Sequence, residues 1–202
     1  MNRRMMRLQV AANLHLERYA KTPFPPILKP DAPTLLLAGN IARPNRRIYR
    51  DFLNYCARSW DHVMIVAGPC ELAVATVEQC ASRMREFPNV HFLNKTRIDR
   101  EGVAFLGATG CDQDNIWLKK ALAACDTTAI VLTHYQPLFG LFPGDISVSG
   151  NTPRGILNVP VIRQDFRDPE LVRAAYGNTT AHELASQMNA EEPQNWGSVQ
   201  MR

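Results

Sequence analysis

Apolar residues along the chain fall into short blocks parted by polar loops, and the blocks alternate between two spacings. A mostly apolar stretch at residues 6–12 reads as a short strand, and the apolar runs at 35–38, 63–66 and 129–132 as further strands, 35–38 of a buried type. Between them, Ile48, Phe52, Tyr55 and Cys56 recur at helical spacing over residues 45–59, after Pro44, a residue tolerated at a helix start. Val74, Val77, Ala81 and Met84 mark a second amphipathic helix ending before Pro88. Trp117, Ala121 and Ala124, flanked by Lys119 and Lys120, mark a third with one solvated face. Residues 90–93, 96–99 and 103–106 read as short strands, the last two joined by a tight turn at 100–102.

Proline and glycine punctuate the rest. Pro23, Pro25, Pro26, Pro30 and Pro33 predict a rigid connection over 22–33. Residues 138–167, with Pro143, Pro153, Pro160 and several glycines, predict a long loop, a place where function or partner contact commonly resides. Asp168 and Pro169 offer an N-cap and first position for a helix through Ala175. The stretch 185–202 is weakly patterned, with a last strand expected near 195–200. Strands alternating with helices, followed by a hairpin-bearing half, imply one α/β domain over 1–202 with mixed sheets.

Composition narrows this little. With 202 residues, 46% of them hydrophobic and 21% charged, the chain can bury a sizeable core. The net charge of +4 gathers partly at Arg3, Arg4, Arg7 and at Arg43, Arg46, Arg47, but no aromatic residues interleave these clusters, so nucleic-acid binding is not expected. Cys56, Cys70, Cys80, Cys111 and Cys125 are odd in number and form no CxxC pair, which suits reduced thiols. No apolar stretch near the start is long enough for a signal or membrane helix. The expectation is an intracellular protein, cytoplasmic or part of a cytoplasmically assembled complex, without membrane insertion.

Candidate chemistry gathers in five short segments: NLHLE from Asn13 to Glu17, LLLAGN from Leu35 to Asn40, IVAGPCE from Ile65 to Glu71, VLTHYQP from Val131 to Pro137 and YGNTTAHE from Tyr176 to Glu183. In order and rough spacing they resemble the signature of the calcineurin-like metallophosphoesterases, whose segments read DLHLE, LLxAGD, VxGNHE, THHxP and GHTHxxxE. The resemblance runs from Leu8 to about His182. It implies a four-layer α/β/β/α sandwich of two mixed sheets flanked by helices.

What the resemblance implies about chemistry is loss. Family members hold two divalent cations that activate a bridging water and clamp a phosphate ester. The first family Asp falls on Asn13 and the bridging Asp on Asn40. Pro69 stands at a liganding Asn, and Cys70 at the His that protonates or steadies the leaving group. Asn178 and Thr180 replace two imidazole ligands. His15 and His134 alone match liganding positions, and in the family those serve different metals.

The expectation is therefore a catalytically inactive metallophosphoesterase-like protein with no cofactor, retained as a structural or protein-interaction component with a protein partner or larger assembly. One alternative is an active phosphoesterase with an altered or mononuclear site binding zinc, manganese or iron. His15, Cys70, His134 and His182 form a candidate tetrahedral zinc set for it. Another is a metal-free phosphate or nucleotide binder using the amide groups of Asn13, Asn40 and Asn178 and the hydroxyl of Thr180. Glu17, Glu71 and Glu183 read as residues that hydrogen-bond loop backbone and orient their neighbours.

Overall fold

The computed structural model describes residues 5–19, 27–141 and 145–160. Nine strands form two sheets: β1 (Met5–Ala11), β2 (Thr34–Ala38), β3 (His62–Val66), β4 (Val90–Phe92) and β9 (Gly155–Pro160) in the first, and β5 (Thr96–Arg100), β6 (Val103–Gly107), β7 (Thr128–Leu132) and β8 (Ile146–Val148) in the second. The first runs β4-β3-β2-β1-β9, parallel except for the antiparallel β9 at one edge. The second runs β5-β6-β7-β8, with an antiparallel β5–β6 hairpin followed by two parallel pairs. Both sheets are thus mixed.

Burial assigns the layers. Leu8, Val10, Leu36, Met64 and Val66 from the first sheet pack in one cluster with Val103, Phe105, Ile130, Leu132 and Val148 from the second. Alternate residues point outward. Leu35, Leu37, Val63 and Ile65 meet Tyr49, Phe52, Leu53 and Cys56 of α1 (Arg47–Ser59) and Met84 of α3 (Val77–Met84). On the far side, Ala104, Leu106, Ala129 and Val131 meet Leu118, Ala121 and Leu122 of α4 (Asp112–Ala123). Two sheets share an inner core, with helices on each outer face, and β2, β6 and β7 are buried throughout because both of their faces are covered.

Several boundaries differ from the sequence reading, each for a local reason. Pro44 lies in a turn, and α1 begins only at Arg47. Val74 falls outside α3, because Thr76 and Gln79 exchange hydrogen bonds that fix the helix start at Val77. A separate short helix, α2 (Pro69–Leu72), precedes it. The span 138–167, expected to be a loop, holds β8 and β9 within its described part. Ile146–Val148 extends the second sheet beside β7, and β9 pairs along β1 from Met5 to Val10. Prolines at 153 and 160 misled because one precedes the strand and the other ends it, on a sheet edge where proline is tolerated. The helix expected at 168–175, the strand expected at 195–200 and prolines 23, 25 and 26 lie outside the described residues. Among the described residues no helix is long and apolar enough to cross a membrane.

Candidate functional site

The loops that follow β1, β2, β3, β7 and β8 converge at the ends of parallel strands, where α/β sheets place their ligands. Three non-glycine residues here adopt left-handed backbone: Asn13 (φ 52°), His15 (φ 47°) and Asn40 (φ 56°). Asn and His are among the residues that enter this region most readily. Backbone pairing then zips the first two loops together, through Asn13 N–H to Gly39 C=O at 3.0 Å, His15 N–H to Asn40 C=O at 3.1 Å and Leu16 N–H to Ile41 C=O at 2.9 Å.

Close approach sets the rest. Gly39 has φ +78°, and a Cβ there would lie 2.8 Å from both Gly68 N and His134 Nδ1. A Cβ on Gly68 would lie 2.7 Å from Asn40 N and Oδ1. Only hydrogen atoms fit at these two positions.

At the centre is a directed chain of neutral hydrogen bonds. Cys70 N–H donates to Asn40 Oδ1 (2.9 Å), Asn40 Nδ2 donates to Asn13 Oδ1 (3.0 Å), and Asn13 Nδ2 donates to Gly150 C=O (2.7 Å). The ends settle every amide orientation, since a backbone N–H can only donate and a carbonyl can only accept. His134 obeys the same logic. Its Nδ1 lies 2.9 Å from Ala38 C=O and so carries the proton, which leaves Nε2 as an acceptor 3.5 Å from Asn40 Nδ2. Asn13 and His134 thereby tie the two sheets together.

Beneath this chain, Glu71 braces two loops, those after β2 and β3. Its Oε2 accepts from Gly68 N–H (2.8 Å) and Asn40 N–H (3.0 Å), and its Oε1 from Ile41 N–H (2.7 Å) and Ala42 N–H (3.3 Å). The residue is 1% exposed. Burial pushes its pKa up, and the backbone donors pull it partly back. The Gly68 contact also caps α2, whose first residue is Pro69, at a position where a missing N–H costs nothing.

The other side of the cluster is different in kind. His15 Nδ1 lies 3.2 Å from Glu17 Oε1, and the His15, Glu17 and Cys70 donor atoms all fall within 4.8 Å of one another. Glu17 Oε2 is buried with no hydrogen-bond partner among the described residues. Burial pushes the Cys70 thiol up to about 12, helped by the negative charges of Glu71 and Glu17. Burial also pushes Glu17 up, but its own backbone N–H, the His15 ring and the nearby thiol outweigh it and hold the carboxyl below its ordinary value.

A pair of dications requires bridging anionic oxygens. The position that the resemblance assigns to a bridging acid carries the Asn40 amide, whose N–H points inward at Asn13 Oδ1. Pro69 offers no donor atom, so this half does not fit a binuclear centre.

Of the sequence-predicted site residues, the structure brings Asn13, His15, Asn40, Cys70 and His134 together, a convergence that sequence reasoning left open, with Pro69 at the start of α2 beside them. The zinc set His15, Cys70, His134 and His182 is not what assembles among the described residues. His134 has one ring nitrogen on Ala38 and the other facing Asn40, and the carboxylate that joins His15 and Cys70 is Glu17. Asn178, Thr180 and His182 lie outside the described residues. Sequence reasoning missed Gly150 as an acceptor, and nothing in its local sequence marks a backbone carbonyl for that task. Glu17 was legible in principle, two residues from His15 across a 3-10 turn at Leu16–Arg18. No protein-family model and no curated protein matches this chain.

Proposed function

We propose that this chain is a catalytically silent protein of the calcineurin-like phosphoesterase fold, retained as a structural or protein-interaction component. The five ordered segments and the layered arrangement of two mixed sheets with outer helices support the family reading. One observation carries the functional one. The Cys70–Asn40–Asn13–Gly150 chain satisfies its own donors and acceptors with neutral amides, where phosphoester hydrolysis would need anionic oxygens around two cations.

The same chain argues against an anion binder, because Asn13 and Asn40 each already commit an amide N–H within it, to Gly150 C=O and Asn13 Oδ1. An interaction role draws support from exposed apolar side chains on and beside α4. Ile116 and Leu138 are 61% and 77% exposed, and Leu138 N–H is bonded to Asn115 Oδ1, which brings the two apolar side chains to one neighbourhood.

The deciding experiment is hydrolysis of p-nitrophenyl phosphate and bis-p-nitrophenyl phosphate by the full chain with added manganese, zinc or iron. The expected rate equals that of metal and buffer without protein. Turnover that needs both chain and metal, and that falls on substitution of His134 by Gln, would overturn the proposal.

A further inference from the structure

The geometry points to a single-zinc site built by His15, Glu17 and Cys70, separate from the amide chain and of a different ligand composition. The three donor atoms lie within 4.8 Å of one another, and the His15 Nδ1 to Glu17 Oε1 separation is 3.2 Å. Two ligands about 2.0 Å from a tetrahedral zinc are about 3.3 Å apart, so that pair already spans one edge of the coordination polyhedron.

Glu17 Oε2 supplies a second, independent sign. It is a buried carboxylate oxygen with no hydrogen-bond partner among the described residues, on a side chain only 14% exposed. Buried oxygens of that kind are normally paired, and a cation is the partner that a carboxylate beside a thiol and an imidazole would take.

Position and charge agree with this. His15 is fixed by its left-handed backbone and its N–H bond to Asn40, Glu17 by the 3-10 turn that follows, and Cys70 by its N–H bond to Asn40 Oδ1. The neutral amide chain thus orients a ligand it does not itself provide. One imidazole, one thiolate and one carboxylate form a mixed N/S/O set that suits zinc over magnesium or calcium, which prefer oxygen alone. On binding, the Cys70 S–H bond breaks, sulfur bonds to zinc, and one proton leaves to solvent. The ligand charge of two minus then offsets the dication, and the fourth position is left to water or another donor.

The test uses the full chain stripped with a chelator, then titrated with zinc against a chromophoric competitor and separately with cobalt(II) as a spectroscopic substitute. Expected are one equivalent of zinc per chain and a sulfur-to-cobalt charge-transfer band. Cys70→Ser removes the band and weakens zinc binding at least tenfold, whereas Cys111→Ser, which changes an exposed thiol, alters neither. Glu17→Gln keeps the band and weakens binding at least tenfold, which covers the case of a misfolded Cys70 variant. The site is overturned by wild-type chain that takes up no stoichiometric zinc, by a band that survives Cys70→Ser or disappears with Cys111→Ser, or by Glu17→Gln binding zinc as tightly as wild type. Phosphoester turnover by the zinc-loaded chain would instead sink the silent reading and leave the site standing.

Discussion

Two sides of one loop cluster handle polar groups in opposite ways. Around Asn13, Asn40 and His134 each side chain donates to a neutral acceptor, and the result locks two sheets together. Around His15, Glu17 and Cys70 there is an acceptor too many, left on a buried carboxylate oxygen. The first side has become structure. The second groups ligand-type side chains, so one loop cluster can hold a closed network and an open one side by side. Substitutions on either side separate these roles.

The largest effect is expected beneath both sides. Glu71→Ala leaves four backbone N–H groups, of Gly68, Asn40, Ile41 and Ala42, without their acceptor in a buried setting. Each orphaned donor costs on the order of 1–3 kcal/mol, though not additively, so a total loss of about 4 kcal/mol is expected in urea unfolding. Gly68→Ala comes next at about 3 kcal/mol, since its Cβ would meet Asn40 N and Oδ1 at 2.7 Å. A Gly68→Ala protein as stable as wild type would mean that the loops are looser than these contacts require.

Asn40→Asp probes the neutral side directly. The new oxygen would replace an N–H that now stands 3.0 Å from Asn13 Oδ1, setting two acceptors face to face. Asn13 cannot answer by flipping, because its own oxygen would then meet the Gly150 carbonyl at 2.7 Å. About 2 kcal/mol of stability should be lost at neutral pH, at least as much as in Asn40→Ala despite the better match of shape. An Asp tolerated within about 0.5 kcal/mol would break the comparison between the two sides. The double variant Asn13→Asp with Asn40→Asp is expected to be less stable still and to hydrolyse bis-p-nitrophenyl phosphate no faster than wild type, since Pro69 and Cys70 continue to withhold ligands from a second cation.

Legibility followed the same division. Apolar runs and helical spacing exposed nearly every element before Leu132, because those strands are buried on both faces and the helices on one. The last two described strands were hidden. β8 is only three residues long, and β9 sits at a sheet edge, where burial on one side leaves a weaker pattern and admits Pro160. At the site, the resemblance marked Asn13 and Asn40 as neutral where it implies acids, and Pro69 as lacking a donor atom. It could not reveal that the replacement amides donate to one another and to Gly150, since that depends on loops 137 residues apart in the chain. Glu17 was read as an orienting residue because its role as a possible ligand appears only once the left-handed turn at His15 brings it beside Cys70.

The smallest effect comes from Glu17→Gln without metal, and it distinguishes the sides by pH. The His15–Glu17 contact is a single, partly buried pair at 3.2 Å, so its removal should cost only about 1 kcal/mol at pH 7. Glu17 has its carboxyl held below the ordinary value of 4.5, so the folded chain binds its proton less readily than the unfolded chain does. Its contribution is therefore complete above that ordinary value and is lost as pH falls through the lowered folded one. The stability difference between wild type and Glu17→Gln should be constant from neutral pH down to about 5 and vanish in more acid solution. The difference between wild type and Asn40→Ala rests chiefly on the amide bonds to Cys70 N–H and Asn13 Oδ1, which do not titrate, so it should persist over the same descent. Parallel loss of both differences would mean that the two sides titrate as one unit, and that the neutral lock depends on the carboxylate beside it.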